Sequence, residues 1–162
     1  MKDAIKKGLG FGVSSAIITT LGVIVGIHSG TDLKHAVIAA ILVIAFADSM
    51  ADSLGIYFSE KSRCDSTQKE CLTSMIAAFL GKFSFALTFL IPIIIFSNLH
   101  TAIIIDLVYG MVLLTIVTYR MAKEKKENIF RMIAFHIILA IFVITVSHFI
   151  GIWINAKFGG GV

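Results

Sequence analysis

Apolar residues run in five long blocks along the chain, roughly Leu9 to Ile27, His35 to Phe58, Leu72 to Phe96, Thr101 to Tyr119 and Ile129 to Ile154. Each block is continuously apolar, without the alternation of a half-buried strand, and approaches the roughly 20 residues that carry a helix across a bilayer. Backbone groups in lipid must be satisfied within their own segment, so the pattern predicts five membrane-spanning helices and no sheet. The connections His28 to Asp32 and Ser97 to His100 are short, which makes the helices on either side of each antiparallel. In the first, Gly30 is expected to permit the turn, and Thr31 or Asp32 to cap the second helix. Pro92 is expected to kink the third span and free a backbone carbonyl.

Composition closes off a soluble reading. Of 162 residues, 57% are hydrophobic and 15% charged, with a mean hydropathy of +0.94. Soluble domains average about 45–50% apolar and about 25% charged. The expected architecture is therefore an all-α integral membrane protein, a single five-helix domain over residues 1–162 with no room for a separate soluble catalytic unit. Lys2, Lys6 and Lys7 precede the first block, but that block outruns a signal-peptide core, and no cleavable signal is expected. Cys64 and Cys71, spaced C-x6-C without a neighbouring histidine, suggest neither a zinc set nor a disulfide.

The net charge of +4 bears on topology rather than on nucleic acid. Eleven of the fourteen Lys and Arg residues fall on one side: Lys2, Lys6, Lys7, Lys61, Arg63, Lys69, Arg120, Lys123, Lys125, Lys126 and Arg131. Lys34 and Lys157 fall on the other, and Lys82 lies inside a span. The positive-inside rule places the N-terminus in the cytoplasm and the C-terminus outside or in a lumen. The compact chain favours a cell membrane. Glu60, Asp65 and Glu70, interleaved with bases, read as a solvated face.

Ionisable residues at membrane depth are costly and mark candidate functional positions. Asp48 and Asp52 are four apart in the second span and share a helix face, about 6 Å from each other. Two carboxylates with serine hydroxyls nearby suit a divalent cation, and a thioether such as that of Met50 admits softer ions like ferrous iron. Met50 points roughly 160° away from either aspartate on a regular helix. Lys82 sits at a depth comparable to Asp52 and is its natural partner, whereas Asp48 has no obvious one. Asp106, His136 and His148 are isolated polar residues, more often packing residues than proton relays. His28, His35 and His100 fall near the outer face, where a loose metal cluster is conceivable. In the first span Gly8 and Gly12, and Gly22 and Gly26, form two small-xxx-small pairs, with Ser14, Ser15, Thr19 and Thr20 between them.

Residues 11–26 (FGVSSAIITTLGVIVG) and 51–62 (ADSLGIYFSEKS) resemble the first-span and second-span signatures of the vacuolar iron transporter family, in the right order. Weaker similarity continues through Leu90-Ile91-Pro92 and Ser147-His148-Phe149-Ile150-Gly151. The resemblance implies a homodimer whose first two helices line a path for ferrous iron or manganese, exported in exchange for protons, the ion being cargo and not a bound cofactor. Ser15 stands where the family has an aspartate, Ile56 where it has a glutamate, and Asp52 where it has a methionine. The ligand set is therefore expected to have moved, to Asp48 and Asp52, with Met50 and Ser15 secondary and Thr19, Lys82, Asp106 and His136 as candidates along a pathway. The family's cytoplasmic metal-binding helices have no counterpart between Ser59 and Cys71. Two other classes compete: a non-transporting structural or regulatory membrane protein, in which the aspartates merely pair with Lys82, and an intramembrane lipid transferase. The second lacks the further aspartates and arginine that its D-x3-D motif needs, so no enzymatic activity is expected.

Overall fold

The computed structural model describes residues 2–63 and 67–159. They form α1 (Lys2–Thr31), α2 (Lys34–Lys61), α3 (Gln68–Thr88), α4 (Leu90–Ile95), α5 (Leu99–Lys125) and α6 (Ile129–Phe158), with no strand among the described residues. α3 and α4 together make one span, which gives five helical segments long and apolar enough to cross a membrane. The helices overrun the apolar blocks. α1 runs through the basic approach from Lys2, and α5 continues past Tyr119 to Lys125. At 30 residues, α1 and α6 are about 45 Å long, against a hydrocarbon thickness of about 30 Å.

α1 is the central element, and its packing follows from one stripe of small residues. Gly8, Gly12, Ser15, Thr19, Gly22 and Gly26 recur at alternating spacings of four and three, which keeps them on one helix face. Near the basic end α3 fills this face: a Cβ on Gly8 or Gly12 would run into the carbonyl of Ser74 or of Ala78. Near the opposite end α6 fills it: a Cβ on Gly22 would lie 2.9 Å from Val143 Cγ1, and one on Gly26 3.3 Å from the Ser147 carbonyl. In both pairs the contacting positions rise together along the two helices, so α1, α3 and α6 run parallel. α2 and α5 run antiparallel to α1, as the pairs Lys7–Glu60 (2.9 Å) and Lys6–Glu124 (2.9 Å) show at the basic end. The face of α1 turned from the stripe carries Val13, Ile17, Leu21 and Ile24 into a core with Val37, Ile41, Phe89, Ile103 and Leu114.

The turns differ in detail from what the sequence suggests. Gly30 stays helical, where a Cβ would lie 3.5 Å from the Gly151 carbonyl in ordinary contact, and Asp32 takes the left-handed conformation at φ 50° instead. α2 starts from Leu33 with no side-chain cap, because Thr31 Oγ1 bonds back to the Ile27 carbonyl (2.9 Å). Lys126, at φ 55°, closes α5, and Asn128 caps α6 by accepting from the Arg131 N–H (3.2 Å). Thr67 and Glu70 form a reciprocal capping box on α3. Pro92 does break the third span, but earlier than its own position. It has no N–H for the Thr88 carbonyl, so α3 ends at Thr88 and Phe89 donates to the Ala86 carbonyl (3.3 Å).

Outward-facing apolar side chains cover the rest. Leu42, Val43, Phe46, Met50, Leu54 and Phe58 on α2, and Phe135, Ile138, Phe142, Phe149 and Trp153 on α6, are all exposed, as befits helices facing acyl chains. The stripe predicts an asymmetry among glycines. Gly12→Ala, which forces α3 away, is expected to lower stability by about 1–3 kcal/mol. Gly55→Ala, at a position with open space around it, is expected to be neutral or to gain up to about 1 kcal/mol. Thermal unfolding of both variants in detergent checks this.

Candidate functional site

Beside the centre of the small stripe, three helices bring their polar side chains to one point. α1 contributes Ser15, α2 contributes Asp48 and Asp52, and α3 contributes Lys82. Gly12 makes the arrangement possible, because a Cβ there would approach the Lys82 backbone nitrogen to 3.1 Å, so only a bare backbone lets α3 bring its lysine this close. The Lys82 side chain is 2% exposed and its ammonium contacts the carboxylates of both Asp48 and Asp52, the latter at 2.5 Å. It also donates to Ser15 Oγ at 3.0 Å, and Ser15 donates in turn to Asp52 Oδ2 at 2.6 Å. The two aspartate side chains remain 34% and 27% exposed, so the cluster is closed on the lysine side and open on the α2 side.

The pairing of Lys82 with Asp52 agrees with the depth argument. Asp48, expected to lack a partner, is corrected by the structure: four residues of helix place it on the same ammonium. Ser15 does stand beside Asp52. Met50 does not join them; it is exposed on the outer face of α2, as the regular helical angle requires. Thr19, one turn beyond Ser15, bonds back to the Ser15 carbonyl at 2.9 Å and leaves the cluster without a second hydroxyl. Ser49 and Thr20 are fully buried, each with a hydroxyl that has no hydrogen-bond partner among the described residues.

The remaining polar candidates are dispersed. Asp106 is fully buried on α5 and neither of its carboxylate oxygens has a hydrogen-bond partner among the described residues. His136 lies near the basic end of α6 with Nδ1 2.9 Å from the Met132 carbonyl, far along the chain from the aspartates. At the opposite end the His28 and His100 rings are 6.0 Å apart, His28 Nδ1 meets Asp32 at 2.9 Å, and His148 meets Ser29 Oγ at 2.6 Å. Among the described residues no three His, Cys, Asp or Glu side chains gather to hold a metal. Glu60, expected on a solvated face, is only 12% exposed because Lys7 covers it. Cys71 is buried at the start of α3, while Cys64 and Asp65 lie outside the described residues.

No family model, curated protein or solved structure matches the chain. The site therefore stands on its own chemistry: two carboxylates, one ammonium and one hydroxyl, with more negative than positive groups. Lys82→Met strips the only ammonium from two adjacent carboxylates and is expected to cost about 3 kcal/mol or more. Adding Asp48→Asn and Asp52→Asn to that variant should recover most of the loss. A denaturation series in detergent reads both steps.

Proposed function

We propose that the chain is a divalent metal transporter of the cell membrane, moving ferrous iron or manganese out of the cytoplasm in exchange for protons through Asp48 and Asp52. The supporting observation is the charge count of the cluster. A purely structural pair needs one carboxylate for one ammonium; here two carboxylates meet one ammonium and leave a single negative charge in excess. At membrane depth such a charge is expensive unless compensated, so a cation that the chain does not itself supply completes the site.

A divalent ion carries the charge of two protons, so an electroneutral exchange at this cluster moves two protons for each metal ion. Ser15, already within hydrogen-bond reach of both charged partners, supplies a neutral oxygen that follows Asp52 when Lys82 withdraws. Oxygen donors of this kind suit manganese.

The resemblance of residues 11–26 and 51–62 to the vacuolar iron transporter family supports the same reading, as does the crowding of basic residues at one end, which assigns that end to the cytoplasm. The open side of the carboxylates faces out of α2. A homodimer built across that face covers them in the membrane.

One observation favours a second reading. Lys82 is already buried against both carboxylates, which would suffice for a protein that uses the cluster only to fix α2 against α3. Transport separates the two. In proteoliposomes, manganese uptake with release of two protons per ion is expected, and Asp48→Asn or Asp52→Asn should lower uptake at least tenfold, the scale of one lost charge-assisted ligand at about 1.4 kcal/mol or more. Uptake unchanged in both variants, alongside lowered thermal stability, assigns the cluster to structure alone.

A further inference from the structure

A second site lies away from the aspartates, where α5 turns into α6. An open groove of about 470 Å³ is lined by Glu127, Asn128, Arg131, Met132, Phe135 and His136. Its lining changes character along α6. Arg131 sits at the first turn, and Phe135 one turn further, about 6 Å along the axis. Among the described residues the Arg131 side chain makes no ion pair or hydrogen bond: its backbone N–H serves the Asn128 cap, and its guanidinium meets no acid. Phe130 and Phe135 are both exposed. His136 has Nδ1 engaged with the Met132 carbonyl, so only its Nε2 edge is open.

The surroundings are cationic. Arg120, Lys123, Lys125 and Lys126 end α5, and of the two acids nearby Glu124 is held by Lys6, which leaves Glu127 as the opposing charge inside the groove. A polar, basic mouth above an apolar floor, on the side of a lipid-facing helix, matches one kind of molecule: a phosphodiester with an acyl chain attached. We propose that this groove binds an anionic membrane phospholipid, its phosphate on the Arg131 guanidinium and the start of its acyl chain over Met132 and Phe135. Basic residues at the membrane surface attract anionic headgroups, and a guanidinium holds a phosphate through two parallel N–H donors. The proposal rests on the bundle lying in a membrane and is independent of metal transport.

Native mass spectrometry of the purified full chain, titrated with phosphatidylglycerol, phosphatidylcholine or inorganic phosphate in the absence of metal, tests it. Phosphatidylglycerol is expected to be retained in preference to phosphatidylcholine. Arg131→Gln should reduce that preference about fivefold or more. Glu127→Gln should increase it, and Lys69→Gln, an equal loss of charge at the start of α3, should leave it unchanged. Equal retention of the two lipids, or equal effects of Arg131→Gln and Lys69→Gln, overturns the proposal in favour of unspecific surface charge. Displacement of the lipid by millimolar inorganic phosphate overturns it in favour of a free-anion site.

Discussion

Close approach of backbones to the small-residue face of α1 is the constraint from which the rest of the bundle follows. Lipid tails are as apolar as leucine, so helices in a membrane gain little by hiding leucines from them and must associate through tight packing instead. α1 meets that requirement by presenting almost no side chain along one line. α3 lies on one half of that line and α6 on the other, which lets a single helix organise two parallel neighbours. The bulky residues of α1 then face away from the stripe, where α2, α4 and α5 supply a conventional interdigitated core.

The polar cluster depends on the same geometry. A lysine has a long flexible stem, and burying its ammonium requires that acceptors be within reach on several sides. The bare backbone at Gly12 brings α3 near enough for Lys82 to reach across to α2 while touching Ser15 on α1. The packing stripe and the chemistry are thus one feature: Ser15 occupies a position in the stripe at which a small residue is needed anyway, and its hydroxyl turns that position into a link between ammonium and carboxylate. The excess of carboxylate over ammonium is what separates this arrangement from a simple structural pair.

Much of this is legible in the chain itself. The five apolar blocks, the break at Pro92 and the pairing of Asp52 with Lys82 follow from periodicity, from the missing proline N–H and from matching depth. The share of Asp48 in the same ammonium does not, since matching depth pairs one residue with one partner, whereas a lysine head can serve carboxylates on two successive turns. The left-handed turn at Asp32 is hidden for a related reason. Gly30 looks like a turn residue locally, but it lies inside α1 against Gly151, a residue 121 positions later whose own missing side chain is what the close approach requires. The capping box at Thr67 and Glu70 carries a T-x-x-E signature that the reading of Glu70 as a solvated face passes over. The ion pairs Lys7–Glu60 and Lys6–Glu124 depend on which helix ends meet, and no local pattern specifies that.

α6 meets α1 through Gly22, Gly26 and Gly30, all in the half of the bundle away from the basic loops. Gly151, where the two backbones come closest, lies twenty residues from Arg131, which is about 30 Å along a straight helix. Mechanically this is a long arm on a near fulcrum. Each degree of tilt of α6 about Gly151 corresponds to about 0.5 Å at its far end, so the glycine packing in one leaflet sets where the Arg131 end stands in the other.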